Sequence, residues 1–351
     1  MGIKREYGSE QHWQSRRDFE TGRGGFELEG WQLFRSGRDA LKAVAAVLRG
    51  RRAFLPALCC ESMVLPFEQN CVKVEFYGLG ADFKADVAMI KERAESGDLL
   101  LYMPWFDQQP FDEKGLAELR GSGMLLLEDR THDILKRRPE RFCPDYTVAS
   151  LRKWAALPEG GLLKSTLTTA QGRQDERFAR LRREAMEEKG EYLEKGQPEM
   201  KADFLEKLHR ADRVLDESAG PGAMLDSSLG YIRSLDFEKI LAARQGNCAV
   251  LARCLKDEIG SGKIRPVWDE KDPSSLYFPI LVENRDELQR AMAQSSIYCP
   301  VIWPIVPEAR GLCEKSEYLA EHILALPCDQ RYDSCDMEHI ALRLKDCLKG
   351  I

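Results

Sequence analysis

The sequence predicts an α/β protein, with a large domain built on a mainly parallel sheet and a smaller α+β domain after it. Three observations lead there. Short apolar runs alternate with helical patterns from about residue 36 onward. The runs are near-continuous, which marks strands buried on both faces, as in a parallel sheet covered by helices. The length of 351 residues suits about two domains of roughly 150 residues each.

Taken in order, the candidate strands of the large domain are Phe54–Leu58, Val72–Tyr77, Leu99–Met103, Met124–Glu128 and Tyr146–Leu151. Helical patterns near Asp39–Leu48, Asp86–Ser96 and Glu113–Arg120 lie between them. The charged stretch from Arg173 to Glu217 reads as solvated helices with a turn at Gly196-Gln197-Pro198. A further helical run covers Asp236–Ile259. The C-terminal part holds two strand-like pieces, Leu276–Val282 and Ile297–Trp303, and helices near Arg285–Gln294, Ser316–Leu324 and Met337–Leu348. The chain divides on this reading into an N-terminal segment 1–35, a large domain 36–240 and a small domain 241–351 that accepts the N-terminal segment. Ligands of open parallel sheets bind beyond the carboxyl ends of the strands, so motifs at strand ends carry the most information.

Composition narrows the function classes. The net charge is 52 − 58 = −6, without the basic excess of a general nucleic-acid binder. No apolar run approaches the ~20 residues of a membrane span. The first residues are polar, which predicts no signal peptide, and Glu6 breaks the myristoylation pattern. Eleven cysteines without an export signal read as reduced thiols in a cytoplasm. No C-x-x-C occurs and the five histidines are scattered, so no metal site is expected.

Three segments carry chemistry. In Asp145-Tyr-Thr-Val-Ala-Ser150-Leu-Arg-Lys153-Trp-Ala-Ala-Leu-Pro-Glu159-Gly160-Gly161, a lysine lies just past a strand, three residues after a serine and ahead of a Gly-Gly turn. An imine-forming lysine needs a partly dry pocket and cationic neighbours, and Arg152 adjoins it. Lys164 falls on the next strand, and Lys136 in a basic loop where solvation keeps an amine protonated. In Met124-Leu-Leu-Leu-Glu128-Asp129-Arg130-Thr131-His132 an apolar strand ends in carboxylates with a histidine three residues on. A buried aspartate there can hold a pyridine nitrogen protonated; alone, it reads equally as a helix cap. In Phe34-Arg35-Ser36-Gly37-Arg38-Asp39-Ala40-Leu41 a helix opens on Ser-Gly, which suits a phosphate or an ordinary cap.

The order of the three resembles PLP-dependent enzymes of fold type I, and within them the DegT/DnrJ/EryC1/StrS group of sugar aminotransferases. The matching elements are Gly37 to Leu41, Glu128 to His132 and Lys153 to Gly161, over residues ~30–351. In the C-terminal part Leu276-Tyr-Phe-Pro-Ile-Leu-Val, Ile297-Tyr-Cys-Pro-Val-Ile-Trp-Pro304 and Ile323-Leu-Ala-Leu-Pro327-Cys-Asp-Gln-Arg331-Tyr332 are similar to that group's small domain. The resemblance implies the aspartate aminotransferase-like fold and pyridoxal 5′-phosphate as cofactor. It implies an amino-acid donor, a carbonyl acceptor of the keto-sugar kind, and a homodimer whose partner completes the pocket. Lys153, Asp129 and His132 are the implied catalytic set; Ser36, Gly37, Arg38, Asp39, Cys60 and Ser150 join them around the cofactor.

This sequence departs from the group at several points. Arg38 stands where Ser or Thr is usual, and Cys60 is the best match for an aromatic over the cofactor ring. The usual partner-subunit asparagine has no clear match around Gly230-Tyr231-Ile232-Arg233, which leaves Arg233 as its candidate. Three other readings stand beside the transaminase: a PLP lyase or dehydratase on the same fold, a non-catalytic regulatory protein that retains it, and a thiol enzyme using Cys59 or Cys60.

Overall fold

Leucine-rich runs build the centre of the molecule. The computed structural model describes residues 6–12, 26–136, 142–267 and 276–350, so residues 1–5 and 13–25 of the N-terminal segment lie outside it. The main sheet has nine strands in the order Lys73–Tyr77, Arg52–Pro56, Leu99–Tyr102, Leu125–Asp129, Tyr146–Ser150, Gly161–Ser165, Gln32–Phe34, Gly222–Ala223 and Arg173–Gln174. The first five run parallel. Gly161–Ser165 is antiparallel to both its neighbours, so Gln32–Phe34 runs with the parallel set. These seven strands form a mainly parallel sheet, as the resemblance implies; the last two are two-residue additions at one edge. Leu99, Leu100, Leu101, Leu126 and Leu127 have no solvent exposure, as expected of strands covered on both faces.

Three helices of the large sheet begin on side-chain caps supplied by Ser36, Asp86 and Asp112. The charged stretch forms two helices, Glu176–Lys195 and Pro198–Glu217, broken where Gly196 adopts a left-handed φ of 68°. One face of the first is not solvated as its composition suggests. Phe178, Arg182, Ala185 and Lys189 recur at helical spacing and are buried against the rest of the molecule. The end of the second is held by Lys42, whose buried amine donates to the carbonyls of Leu215 (2.6 Å) and Ser218 (2.7 Å).

The C-terminal part packs a three-stranded antiparallel sheet, Arg265–Pro266, Phe278–Leu281 and Ile323–Leu326, against helices that include Arg285–Gln294 and Ser334–Gly350. Helix Phe237–Cys254 spans two cores. Phe237 and Ile240 pack with Trp154 and Met224, whereas Cys248 and Leu251 pack with Met292, Ile340 and Leu344. Two expectations change here. The pattern Ser316–Leu324 splits into helix Glu314–His322 and the strand Ile323–Leu326. Only Ile297–Tyr298 of the next candidate strand pairs, because Pro300 and Pro304 lack the N–H a ladder requires. Its partner is Tyr7–Gly8, which draws the N-terminal segment onto the C-terminal part.

Candidate active site

Three chain segments meet at the carboxyl ends of the central strands. Leu125–Asp129 and Tyr146–Ser150 are parallel neighbours, with Asp129 opposite Val148. The loops beyond them are tied by Trp154, whose indole N–H donates to the Thr131 carbonyl at 2.8 Å. Gly161 lies opposite Phe34, and a Cβ on it would come within 2.1 Å of the Ser36 carbonyl. The second glycine of the pair is thus demanded by backbone contact with the helix start, more than by a turn. A Cβ on Gly37 would sit 3.4 Å from the Ser150 Cβ, so the helix start and the end of the strand before Lys153 are in contact.

Asp129 is 7% exposed and accepts from the Thr131 N–H at 2.8 Å. Burial, offset in part by Thr131 and Lys153, raises its carboxyl to about 6. His132 is 2% exposed and is pushed down to about 3, first by burial and then by the Lys153 charge, so it is neutral at working pH. The Phe106 N–H faces its Nδ1 at 3.4 Å, which leaves the ring proton on Nε2. The imidazole lies between the rings of Phe106 and Trp303, at centroid distances of 4.9 and 5.2 Å. Phe106 and Asp107 both take left-handed φ, 48° and 70°, a strained turn that sets the aromatic against the histidine.

Lys153 closes a single 3-10 turn, Leu151–Lys153, directly after the strand, and its side chain is exposed. Its charge bears on Cys60, Asp129 and His132, which brings three of the sequence candidates around one amine. Ser150 is 6% exposed, and its Oγ is buried with no hydrogen-bond partner among the described residues. Ser36 and Asp39 have other engagements. Ser36 Oγ caps the Asp39 N–H (3.1 Å) and donates to the Asp39 carboxylate (2.8 Å). That carboxylate also accepts from Arg35 (2.9 Å) and from the Gly222 N–H (2.9 Å). Their side chains therefore latch the helix start to the sheet edge and have nothing left for a phosphate. What remains is the first N–H groups of the helix, at Gly37 and Arg38, which have no intrahelical acceptor. The Arg38 side chain pairs with Asp216.

Two lysine and cysteine expectations are also corrected. Lys136 is not solvated: it is 9% exposed and paired with Asp107 at 2.9 Å, because the strained turn brings that carboxylate inward. The thiols of Cys59 and Cys60 are both raised by burial, Cys59 far above its ordinary value, so neither is an activated nucleophile. Cys60 stands at the start of helix Glu61–Gln69, its Sγ 3.0 Å from Ser62 Oγ.

Several residues around the site carried no motif. The backbone of Gly8 to Glu10 is gripped by Arg331, which donates to the carbonyls of Gly8 (3.4 Å), Ser9 (3.3 Å) and Glu10 (3.2 Å). Gln11 reaches the Lys153 carbonyl at 3.2 Å. Arg182 pairs with Glu10 at 3.0 Å, and buried Lys189, lowered to about 7 chiefly by burial, donates to Ser9 Oγ at 2.6 Å. Buried Arg244 donates to the carbonyls of Trp154 (2.8 Å) and Leu276 (2.9 Å), pinning the lysine loop to the C-terminal part. The one sequence signal for these contacts was the density of basic residues in the helix that bears Arg182 and Lys189.

No family model matches the sequence, and no curated protein sequence matches it. Solved structures do match over nearly the whole chain. PseC of Helicobacter pylori, an aminotransferase involved in the biosynthesis of pseudoaminic acid, aligns with a TM-score of 0.68 at 12% identity, covering 99% of this chain and 100% of its own. Spr1654 of Streptococcus pneumoniae, described as a sugar aminotransferase and solved in its PLP form, gives 0.64 at 15% identity, with 95% and 93% covered. A DegT/DnrJ/EryC1/StrS aminotransferase of Brucella abortus gives 0.60 at 18% identity, with 90% and 85% covered. At these identities the likeness establishes the fold: this chain has the architecture of the fold type I, PLP-dependent transferases. No helix among the described residues is long and apolar enough to cross a membrane, and none of their His, Cys, Asp and Glu side chains cluster as a metal site.

Proposed function

We propose that this chain is a PLP-dependent aminotransferase that moves an amino group from an amino-acid donor to a carbonyl acceptor of the keto-sugar kind. One observation carries the reading: the charge of an exposed lysine at a strand end bears on a buried aspartate and a buried neutral histidine, and the strand before it touches a helix start with free N–H groups. The residues fit the cofactor. Ser150 offers a buried hydroxyl with no partner among the described residues, and Gly37 keeps the helix start open against it. When bound, PLP supplies an aldehyde that takes up amines and a ring that absorbs the electron pair of a broken C–H bond.

The chain's own residues then have distinct tasks. Lys153 would hold the cofactor through its amine and, as an acid–base group, would move a proton at the donor α-carbon. Asp129, ionised above about pH 6, holds a proton on the ring nitrogen. His132 offers its Nε2–H without adding charge. Gly37 and Arg38 N–H groups and Ser150 Oγ would hold the phosphate, and Cys60, at its helix start, would border the ring. This set of phosphate donors is sparse, which supports a homodimer in which the partner adds contacts, Arg233 being the candidate. Residues 36–240 would be the cofactor-holding domain and 241–351 the smaller one. Small molecules are the partners on this reading, with no nucleic acid and no membrane, in the cytoplasm, where eleven free thiols are at home. A lyase or dehydratase would use the same residues, and the matched aminotransferases favour the transferase.

The test is covalent capture. Incubation with PLP should give visible absorbance, and borohydride reduction followed by peptide mapping should find the label on Lys153. Lys153→Ala should lose the label while still binding PLP. A label on Lys136 or Lys164, or none at saturating PLP, would overturn the enzyme reading in favour of a regulatory one.

A further inference from the structure

We propose that Lys136 is a positioning residue: its buried ion pair with Asp107 fixes the turn at Phe106 and Asp107, and through that turn the orientation and proton placement of His132. The inference goes beyond the aminotransferase reading and rests on it only for the use made of His132. Three observations carry it.

The first is a turn that does not hold itself. Phe106 and Asp107 take consecutive left-handed φ values, 48° and 70°. Asp tolerates that region, but a bulky aromatic rarely enters it, so the surroundings must impose the conformation. Inside the turn, the Gln108 N–H donates to the Trp105 carbonyl at 2.7 Å. From outside, the Lys136 amine meets the Asp107 carboxylate at 2.9 Å, with only 8% and 12% of the two side chains exposed. Little water competes for charges this dry, so the pair resists being pulled apart.

The second is where Lys136 comes from. It belongs to the loop that bears His132, four residues earlier. That loop is stapled to itself. Arg130 donates to the Lys136 carbonyl at 3.0 Å and lies 3.4 Å from the buried Asp133 carboxylate. The Lys136 N–H donates to the Asp133 carbonyl at 2.8 Å. The amine therefore reaches Asp107 from a fixed base, and the pair joins the two loops beside the Phe106 and His132 contact.

The third is that this contact is at the edge of its range. The Phe106 N–H stands 3.4 Å from His132 Nδ1, so a displacement of under about 1 Å would lose it. That N–H makes Nδ1 the acceptor and leaves the proton on Nε2. The Phe106 and Trp303 rings flank the imidazole at 4.9 and 5.2 Å, and ring faces do not choose between its two nitrogens. Proton placement thus depends on where the turn holds one N–H, and Lys136 holds the turn.

Nitrogen NMR spectra of the histidine rings test this on the full-length protein without cofactor, at neutral pH, with His132→Gln to assign the signals. Wild type should show a protonated Nε2 and an unprotonated Nδ1 at His132. In Lys136→Met the contrast between the two nitrogens should be lost, and Lys136→Arg should restore most of it. Lys136→Met alone leaves a buried carboxylate unpaired and should melt lower than wild type. The double variant Lys136→Met with Asp107→Asn removes both charges, and Asn tolerates a left-handed φ as Asp does. It should recover the melting temperature and still lack the contrast. A double variant of near-normal melting temperature that keeps the wild-type contrast would show that the pair only neutralises buried charge, and would overturn the proposal. A loss as complete in Lys136→Arg as in Lys136→Met would assign the effect to packing of the lysine stem and overturn it too. In PLP-loaded protein the double variant should turn over about tenfold more slowly, the scale of a misplaced group, with the Lys153 label intact. Absence of that label in wild type sinks the aminotransferase reading and leaves the spectra of the cofactor-free protein to decide the role of Lys136.

Discussion

The two sides of the candidate site solve opposite electrostatic problems. On the side of Asp129 and His132, apolar packing removes charge: Phe106 and Trp303 enclose the imidazole, and burial keeps it neutral while lifting the aspartate to about 6. On the side of Lys153, charge accumulates: Arg152, Arg182, Lys189 and Arg331 converge there, and the N-terminal segment answers them with Glu10 and its carbonyls. The first side is built mainly from the Phe106 and His132 loops, with Trp303 added from the C-terminal part. The second is closed by residues over a hundred positions away.

The largest effect expected from breaking the contrast is at its centre. Lys153→Ala should lower transamination by at least about a thousandfold, the scale of losing a positioned acid–base group, measured as single-turnover amino transfer. Asp129→Asn comes next, with about a hundredfold loss of turnover, the scale of removing one electrostatic contact to developing charge. The same variant reports on the dry side without cofactor. Because burial raises the folded carboxyl to about 6, above its ordinary 3.8, the protonated form is favoured in the fold. Asp129 therefore costs nothing below about pH 4, and its cost grows as pH rises through 6, to an upper figure of roughly 3 kcal/mol. Apo Asp129→Asn should melt higher than wild type at pH 8 and the same at pH 4. A gain that is equal at both values would mean that packing, and not charge burial, is responsible.

That dry side is also the part the sequence made most legible. Alternating apolar runs and helical patterns expose a parallel sheet because burial on two faces leaves a local signature, and strand ends locate the loops that matter. Asp129, His132 and Lys153 could be read because each follows its strand within a few residues. The wet side was not readable for the opposite reason. Glu10, Arg182 and Arg331 come from three distant segments, and nothing local in a charged helix says which of its faces will be buried. Ser36 and Asp39 were misread for a related cause: a Ser-Gly helix start looks the same whether its side chains face a phosphate or, as here, Arg35 and Gly222.

A smaller effect should follow from loosening the wet side. Arg331 joins three backbone carbonyls to the Asp329 carboxylate, 2.7 Å away, so it is an anchor for the N-terminal segment and makes no contact with Lys153. Arg331→Ala should destabilise the protein by about 1–3 kcal/mol, the cost of unfilled acceptors and an unpaired carboxylate, read by urea denaturation. Hydrogen exchange should rise at residues 8–11 well before it rises in Leu125–Asp129. Uniform acceleration across both regions would show that the two sides are not independent.

The smallest effect sits where the two sides meet. Cys60 feels the Lys153 charge, which lowers its thiol, and the Asp129 charge, which raises it, over a larger upward push from burial. Its alkylation at pH 8 should be slow, and its rate should follow the thiolate fraction. Removing the cation in Lys153→Ala should slow it further, whereas removing the anion in Asp129→Asn should speed it. Cys59 has no exposed surface and is raised by burial first, so its rate should not respond to either variant. Opposite responses at Cys60 with none at Cys59 would measure the two fields separately at one atom. If Cys60 slowed in both variants, loss of local packing would be the common cause, and the charges assigned to the two sides would not be acting on it.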